Sequence, residues 1–351
     1  ANDANKRESW KYVEQYVYDP TGNILKKVIA GKETTFTYDA ANQLVQSKSL
    51  LNSNVKILNY EYDGAGRLAL EASATSVKSY KYGWLDKVLS VTEGKDVSNF
   101  EYYPDGQLAS TNSTNLHEEF VWDGLALIGR NETNYTVEPH VNGGSPILST
   151  NGTNGTNETS VLFNDILGSS LGVVENGAFT GIERSAFGDL SDEALAKSET
   201  LNGEPETLNA DFFTGKPAVD GLGYAFLFRN YRADTGKWMS SDPLGYPDGP
   251  NNFAYCGNSP LSSIDAWGLF SIGDTYPNVS EDYPLGVIYD NGPNTPTSDM
   301  LAATAAQYAF PADSLSRSLV EEVIYKTDDV LPDVKIGNEV ATLIEKDPGL
   351  L

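Results

Sequence analysis

The residues of this sequence best suited to chemistry sit in two acidic turn elements, Asp242-Pro243-Leu244-Gly245 and Asp265-Ala266-Trp267-Gly268, 23 residues apart from Asp to Asp. Two carboxylates brought close together do not ionise with equal ease. One stays anionic and can draw a proton from water, while the protonated partner can polarise a carbonyl and then protonate an amide nitrogen. Such a pair titrates jointly. Each element alone is also an ordinary turn, in which Asp accepts backbone N–H groups and Pro fixes φ. Other chemistries have fewer residues to draw on. His117 and His140 are the only histidines, and Cys256, the single cysteine, has no histidine near it in sequence and reads as a buried thiol. With no Cys-x-x-Cys or His pair to suggest zinc, neither a metal nor a cofactor is expected.

Three cations precede the first element. Arg229, Arg232 and Lys237 either stabilise an ionised Asp242 or pair with acids on neighbouring strands, as charges on a sheet face usually do. Trp238 and Trp267 read as core residues, since aromatics bury large apolar area. A formal net charge of -25 argues against nucleic-acid binding, which depends on neutralising phosphates with Lys and Arg. No apolar run reaches the length of a membrane span, and the N-terminus lacks the basic and apolar regions of a signal peptide.

The elements that must position these residues announce themselves by a repeat. Aromatic-x-aromatic pairs occur at Tyr16/Tyr18, Phe36/Tyr38, Tyr60/Tyr62, Tyr80/Tyr82, Phe100/Tyr102 and Phe120/Trp122, a step of 20 residues with one insertion of four. Three continue as Tyr-Asp, a turn and an aliphatic: Tyr18-Asp19 to Ile24, Tyr38-Asp39 to Leu44, and Tyr62-Asp63 to Leu68. Residues i and i+2 of a strand share a face, so each pair supplies one apolar stripe. Gly22, Asn42, Gly66 and Gly106 fall where the turn needs positive φ. Each unit is predicted as strand, tight turn, strand. One such hairpin cannot bury its own face, whereas stacked neighbours form a long continuous sheet. The repeats resemble the YD, or RHS, repeat.

Regular repeats fill residues 1–130 and degrade over 131–212, where Asn142-Gly143-Gly144-Ser145-Pro146 and the Asn151 to Asn157 tract read as exposed loops. Strand-like segments resume at Val161-Leu162-Phe163 and Leu171 to Val174, and Ser191 to Asn209 reads as a polar, helix-prone insertion. Seven Asn-x-Ser/Thr triplets, at Asn112, Asn131, Asn134, Asn151, Asn154, Asn157 and Asn278, permit glycosylation or reflect polar loop composition.

From Phe213 to Leu269 specific blocks crowd together: Phe213 to Lys216, Phe226-Leu227-Phe228-Arg229-Asn230-Tyr231-Arg232 running on to Gly245, Asn251 to Pro260, and Ile264 to Leu269. Their order and spacing resemble the RHS-associated core of self-cleaving polymorphic toxins and of the C components of Tc toxins. With the repeats, the resemblance covers residues 10 to 269. It implies an aspartyl autoprotease acting once in cis, with Asp242 and Asp265 as the catalytic pair and the bond after Leu269 as the one cut; Arg229 and Arg232, by their place upstream of Asp242, are the candidates for electrostatic support. Two departures stand out. Ala266 replaces a proline, so the second turn is expected to hold Asp265 less firmly, and Tyr246 stands where leucine is common.

The expected architecture is mainly β: YD hairpins in a continuous curled sheet, a partial shell closed by a core of residues 213–269, then a small, partly helical tail. That tail, residues 270–351, has 14 acidic and 4 basic residues, no histidine and no cysteine. Helical patterns run over Ser298 to Phe310, Asp313 to Tyr325 and Lys335 to Lys346. The resemblance implies that the tail is cargo enclosed by the shell and released by the cut, in a protein that is secreted or displayed at the cell surface. The chain opens almost inside a repeat and reads as the C-terminal part of a longer array. The competing reading is a non-enzymatic surface protein, adhesive or fibrous, with a carbohydrate or protein partner. A subunit whose tail docks into a partner is a third.

Overall fold

A computed structural model describes residues 14–51, 54–114, 116–140, 142–151, 158–190 and 210–273. Among them the chain is almost entirely β, in a 17-stranded antiparallel sheet, a five-stranded sheet and a two-stranded hairpin. The seventeen strands follow in chain order from Glu14–Tyr18 to Ala178–Gly181, each paired with the next. The helix-prone insertion and the helical patterns expected between Ser298 and Lys346 lie outside the described residues.

Local chemistry explains the unit. Asp19, Asp39 and Asp63 each accept, on one carboxylate oxygen, the amides two and four residues on. This closes a turn whose fourth residue has positive φ: Gly22 at 81°, Asn42 at 62° and Gly66 at 76°. The register slips by one residue at Tyr18, Tyr38, Tyr62, Tyr82 and Trp122, so a β-bulge marks the second aromatic of these pairs. The first aromatics, Phe36, Tyr60, Tyr80, Phe100 and Phe120, are buried in one continuous core. The second ones pack beside them and reach one unit back. Tyr38, Tyr82 and Tyr102 donate their hydroxyls to the carbonyls of Ile24, Leu68 and Val88, each at 2.8 Å, and the Trp122 indole N–H meets the Leu108 carbonyl at 2.7 Å.

The sheet is curled. Seventeen strands about 4.8 Å apart would lie flat over roughly 75 Å, yet the first strands touch the segment that follows the last. The Glu14 carboxylate accepts the Ala186 N–H at 2.9 Å, the Tyr16 and Phe187 rings are 5.0 Å apart, and Lys27 pairs with Asp189 at 2.7 Å. Bulges at nearly every unit supply the bend. Within the curl sits the five-stranded unit of Phe212–Phe213, Lys216–Val219, Gly223–Ala225, Asn230–Arg232 and Lys237–Trp238. Its Phe212, Val219, Leu222, Ala225 and Met239 complete the same core as Ile24, Leu68, Phe120 and Val173.

Strands and Asp-closed turns, such as that of Asp165, continue to Gly181 through the stretch in which the sequence repeats degrade. One expectation needs correction: Asn142 to Pro146 is not an exposed loop. Asn142 and Ser145 are buried, and Ser145–Asn151 is a strand. The polarity is tolerated because it is satisfied: Asn142 Nδ2 donates to the Thr214 carbonyl at 2.5 Å and its carbonyl accepts Lys216 Nζ at 2.8 Å. Asn112, Asn134 and Asn151 likewise lie in strands rather than loops.

Candidate functional site

Asp265 ends the strand Ser263–Asp265, which pairs with Ser271–Gly273 so that Asp265 faces Ser271. The loop between them, Ala266 to Phe270, carries the Leu269–Phe270 bond. Gly268 holds φ 83°, and a Cβ there would lie 3.0 Å from the Arg229 amide nitrogen, so only glycine fits without displacing backbone. The Asp265 carboxylate organises the loop from below: Oδ1 accepts the amides of Trp267 at 3.1 Å, Gly268 at 2.6 Å and Leu269 at 3.0 Å. The turn lacking proline is thus the more heavily bonded of the two. At Asp242, Pro243 has no N–H to give and Oδ1 accepts only the Leu244 amide, at 2.8 Å. The expected slackness at Ala266 is absent, because the backbone N–H groups hold Asp265 themselves and Ala266 is packed out of solvent.

Arg229 joins the two aspartates. Its Nη2 lies 2.6 Å from Asp242 Oδ2 and 3.5 Å from Asp265 Oδ2. Its Nε donates to the Gly268 carbonyl at 2.6 Å, its Nη1 donates to the Asn252 carbonyl at 3.0 Å, and the guanidinium lies 4.2 Å from the Trp238 ring centre. Arg232 does not join them. It pairs with Glu71 at 2.5 Å and Asp234 at 2.8 Å, so of the two arginines expected to support Asp242 only Arg229 does. Lys237 also turns away, donating to Asn23 Oδ1 at 2.8 Å.

A third carboxylate, unmarked in the sequence, stands close by. Asp248 accepts the Ser271 amide on both oxygens, at 2.9 and 3.0 Å, and the Ser271 hydroxyl at 2.9 Å. A buried cation completes the surroundings: Lys216 donates to the carbonyls of Leu125 at 3.1 Å and Asn142 at 2.8 Å. Lys216 closes the block Phe213 to Lys216 without marking itself as part of the site, and Asp248 carried no readable signal. Asp248 lies in a Tyr-Pro-Asp-Gly-Pro turn like any other, and only tertiary structure sets it against Ser271.

Burial dominates the electrostatics. Leu227, Ala266, Trp267 and Leu269 form an apolar cluster with Leu244, Phe270 and Ile272 beside it. Asp265 is fully buried and Asp242 is 8% exposed. Desolvation pushes Asp242 up to about 7 and Asp265 up to about 6, although Arg229 pulls both down. Asp248 is raised for the same reason, because one guanidinium cannot neutralise three carboxylates. Desolvation draws Lys216 down to about 7, with Asp265 opposing it. Cys256 is buried, and its thiol is held well above its ordinary value, chiefly by desolvation, so it is a poor nucleophile. Near neutral pH the arrangement can hold one protonated and one ionised carboxyl beside a backbone bond.

Among the described residues no group of His, Cys, Asp and Glu is arranged to hold a metal ion, and no helix is long and apolar enough to cross a membrane. No protein-family model matches the chain. It is similar to a double-stranded DNA deaminase toxin A of Burkholderia cenocepacia, 25% identical over 302 residues that cover 73% of this chain and 21% of that protein. The chain therefore spans about a fifth of its relative. Among solved structures it is similar to the TcdB2-TccC3 complex without its hypervariable C-terminal region, with 16% identity, a TM-score of 0.39 and coverage of 74% of this chain and 17% of the other. The Photorhabdus luminescens Tc holotoxin pore gives 15% identity, a TM-score of 0.40, and coverage of 79% and 17%.

Proposed function

We propose that this chain is part of a toxin-like repeat shell, and that its core cuts the shell's own backbone once, after Leu269. One observation carries the reading: Asp242 and Asp265 share a single guanidinium nitrogen of Arg229, while Asp265 also holds the Leu269 amide. In the proposed reaction the ionised carboxylate, chiefly Asp265, takes a proton from a water whose oxygen adds to the Leu269 carbonyl carbon. The protonated partner, chiefly Asp242, polarises the carbonyl oxygen and then passes its proton to the Phe270 nitrogen. The C–N bond breaks to leave a Leu269 carboxylate and a Phe270 amine. The segment beginning at Phe270 is then the cargo, freed from the shell without leaving it. The named activity of the Burkholderia relative is not transferred to that segment. Nucleobase deaminases hold zinc with His and Cys, and residues 270–351 contain neither. By this reading the protein is secreted as part of a larger assembly.

A second reading has its own observation. Asp242 and Asp265 accept backbone amides in turns of the same kind as Asp19, Asp39, Asp63 and Asp165, which close the hairpins of the sheet. On that view the core is a fixed closure of a structural or adhesive surface protein. Intact mass under denaturing conditions decides between them, using the parent with the Asp242→Asn and Asp265→Asn variants. Two fragments meeting at Leu269/Phe270 in the parent and one chain in each variant are expected. A single full-length chain in all three, with the fold retained, sinks the protease.

A further inference from the structure

A bond is cut faster when its reacting atoms are held in place, and anchors on both sides of it do this best. Asp265 grips the N-terminal side through the Leu269 amide. We propose that Asp248 is the positioning residue for the other side: it fixes Ser271 so that the Leu269–Phe270 bond is presented, and it keeps the new N-terminus docked on the core once the bond is broken. The inference rests on the autoproteolytic reading of Asp242 and Asp265.

Four features of the far side support it. Both Asp248 oxygens are spent on Ser271, on its amide and its hydroxyl, and an ionised acceptor makes such bonds about twice as strong as neutral ones. Ser271 is 6% exposed, so water does not compete freely for them. The segment also adds a strand to the core, pairing Ser271 with Asp265, Ile272 with Ile264 and Gly273 with Ser263. Finally, the Phe270 ring lies 5.3 Å from that of Trp267, and Phe270 and Ile272 pack on the apolar cluster of Leu227, Ala266 and Leu269. None of these contacts depends on an intact Leu269–Phe270 bond. Hydrolysis would convert the Phe270 nitrogen, next in the chain to the Ser271 held by Asp248, into an ammonium, adding a cation near a core in which Asp242 and Asp265 already share Arg229. The core thus contains a built site for a peptide N-terminus of the form Phe-Ser-Ile-Gly, occupied by the chain's own segment.

The test compares the parent with Asp248→Asn, and with Ser271→Ala and Ser271→Thr as a pair in which threonine restores the hydroxyl. Chains made by cell-free synthesis and quenched in denaturant at intervals give the cleavage rate, and native mass spectrometry shows whether the two pieces stay together. Cleavage slowed roughly tenfold, the effect of losing a charge-assisted hydrogen bond, is expected for Asp248→Asn and Ser271→Ala. Both should also lose the C-terminal piece in native spectra, with recovery in Ser271→Thr. Cleavage at the parental rate with the piece still bound in Asp248→Asn would overturn the proposal while leaving the protease intact. If the parent is not cut at all, the protease reading has failed and docking is read separately by amide hydrogen exchange at Ser271 and Ile272. At least tenfold faster exchange in Asp248→Asn supports the grip, and equal exchange overturns it.

Discussion

Arg229 ties the two aspartates together but does not set their protonation. It is 4% exposed, it satisfies two carbonyls and two carboxylates, and it stacks on Trp238, so its position is fixed from several directions. One cation shared among carboxylates does not offset their burial, which leaves Asp242 near 7 and Asp265 near 6. Below about 6 the pair lacks a base, and above about 7 it lacks an acid. The cleavage rate is therefore expected to follow a bell with its maximum between these values, and the two flanks belong to the pair rather than to either residue. A rate that rises steadily to pH 9 would exclude this acid–base pair. Stability gives an independent reading. Both pKa values lie above those of the unfolded chain, so the stabilisation they give is complete below about pH 4, where the unfolded carboxyls are still protonated, declines as pH rises, and is gone once pH passes the folded values of about 6 and 7. Asp242→Asn cannot ionise, and its urea midpoint should gain on the parent's between pH 5 and pH 8. The two Asp turns were legible in the sequence because each is a local motif, and their pairing was an expectation from the resemblance of residues 213–269. The junction of the pair with Arg229 depends on where the strands Asn230–Arg232 and Ser263–Asp265 lie in space, and only tertiary structure gives Arg229, just ahead of its strand, the Gly268 and Asn252 carbonyls and Arg232, at the strand's end, Glu71 and Asp234.

At the scale of the element, the 20-residue unit was legible because every part of it is local. The aromatic pair, the Asp-closed turn and the positive-φ residue act within a few positions of one another, and the buried first aromatics match the predicted stripe. Hidden from the sequence was the coupling between units, in which the second aromatic donates to a carbonyl 14 residues earlier. It makes neighbouring hairpins cooperative rather than merely adjacent. Tyr82→Phe should cost about 1 kcal/mol by leaving the Leu68 carbonyl without its donor, and Phe100→Ala about 3–5 kcal/mol by opening a cavity. Denaturant melts of the two variants check both the order and the size. Equally hidden were the buried cations that tie the core to the repeats, since a lysine in a sequence reads as surface. Lys216 reaches Leu125 and Asn142, and burial lowers its pKa to about 7. Its ordinary value returns on unfolding, so folding of the parent improves as pH rises from 7 toward 10 and worsens as pH falls toward 7. Lys216→Met should therefore compare more favourably with the parent at pH 7 than at pH 10. An unchanged difference between the two pH values would show that the ammonium is not desolvated.

Over the described residues the chain is an aromatic-lined curl wrapped on its own core, and its first strands meet the segment after the last strand through Glu14 and Ala186, Tyr16 and Phe187, and Lys27 and Asp189. Residue-level chemistry acts collectively here because the inward face is continuous. Tyr16, Tyr38, Tyr60, Tyr62, Tyr80, Tyr82, Tyr102 and Tyr135 in the sheet, with Tyr224, Tyr231 and Tyr255 in the core, all have phenols raised above their ordinary value, with desolvation as the largest cause. A folded chain keeps them neutral while the unfolded chain ionises them near pH 10. Their stabilisation is thus fully present below about pH 10 and disappears as pH climbs beyond it. No single ring can ionise alone without admitting water to its neighbours, since Tyr231 lies within 5.4 Å of Phe213 and Trp238 and 4.7 Å of Tyr255, ring centre to ring centre. Alkaline titration should therefore show these phenolates appearing late and in one step, together with loss of the sheet's far-ultraviolet circular dichroism. Gradual ionisation of the tyrosines with the sheet signal unchanged would mean that water already reaches the inner face. The curl would then be an open surface rather than a closed shell, and could not isolate a segment held within it.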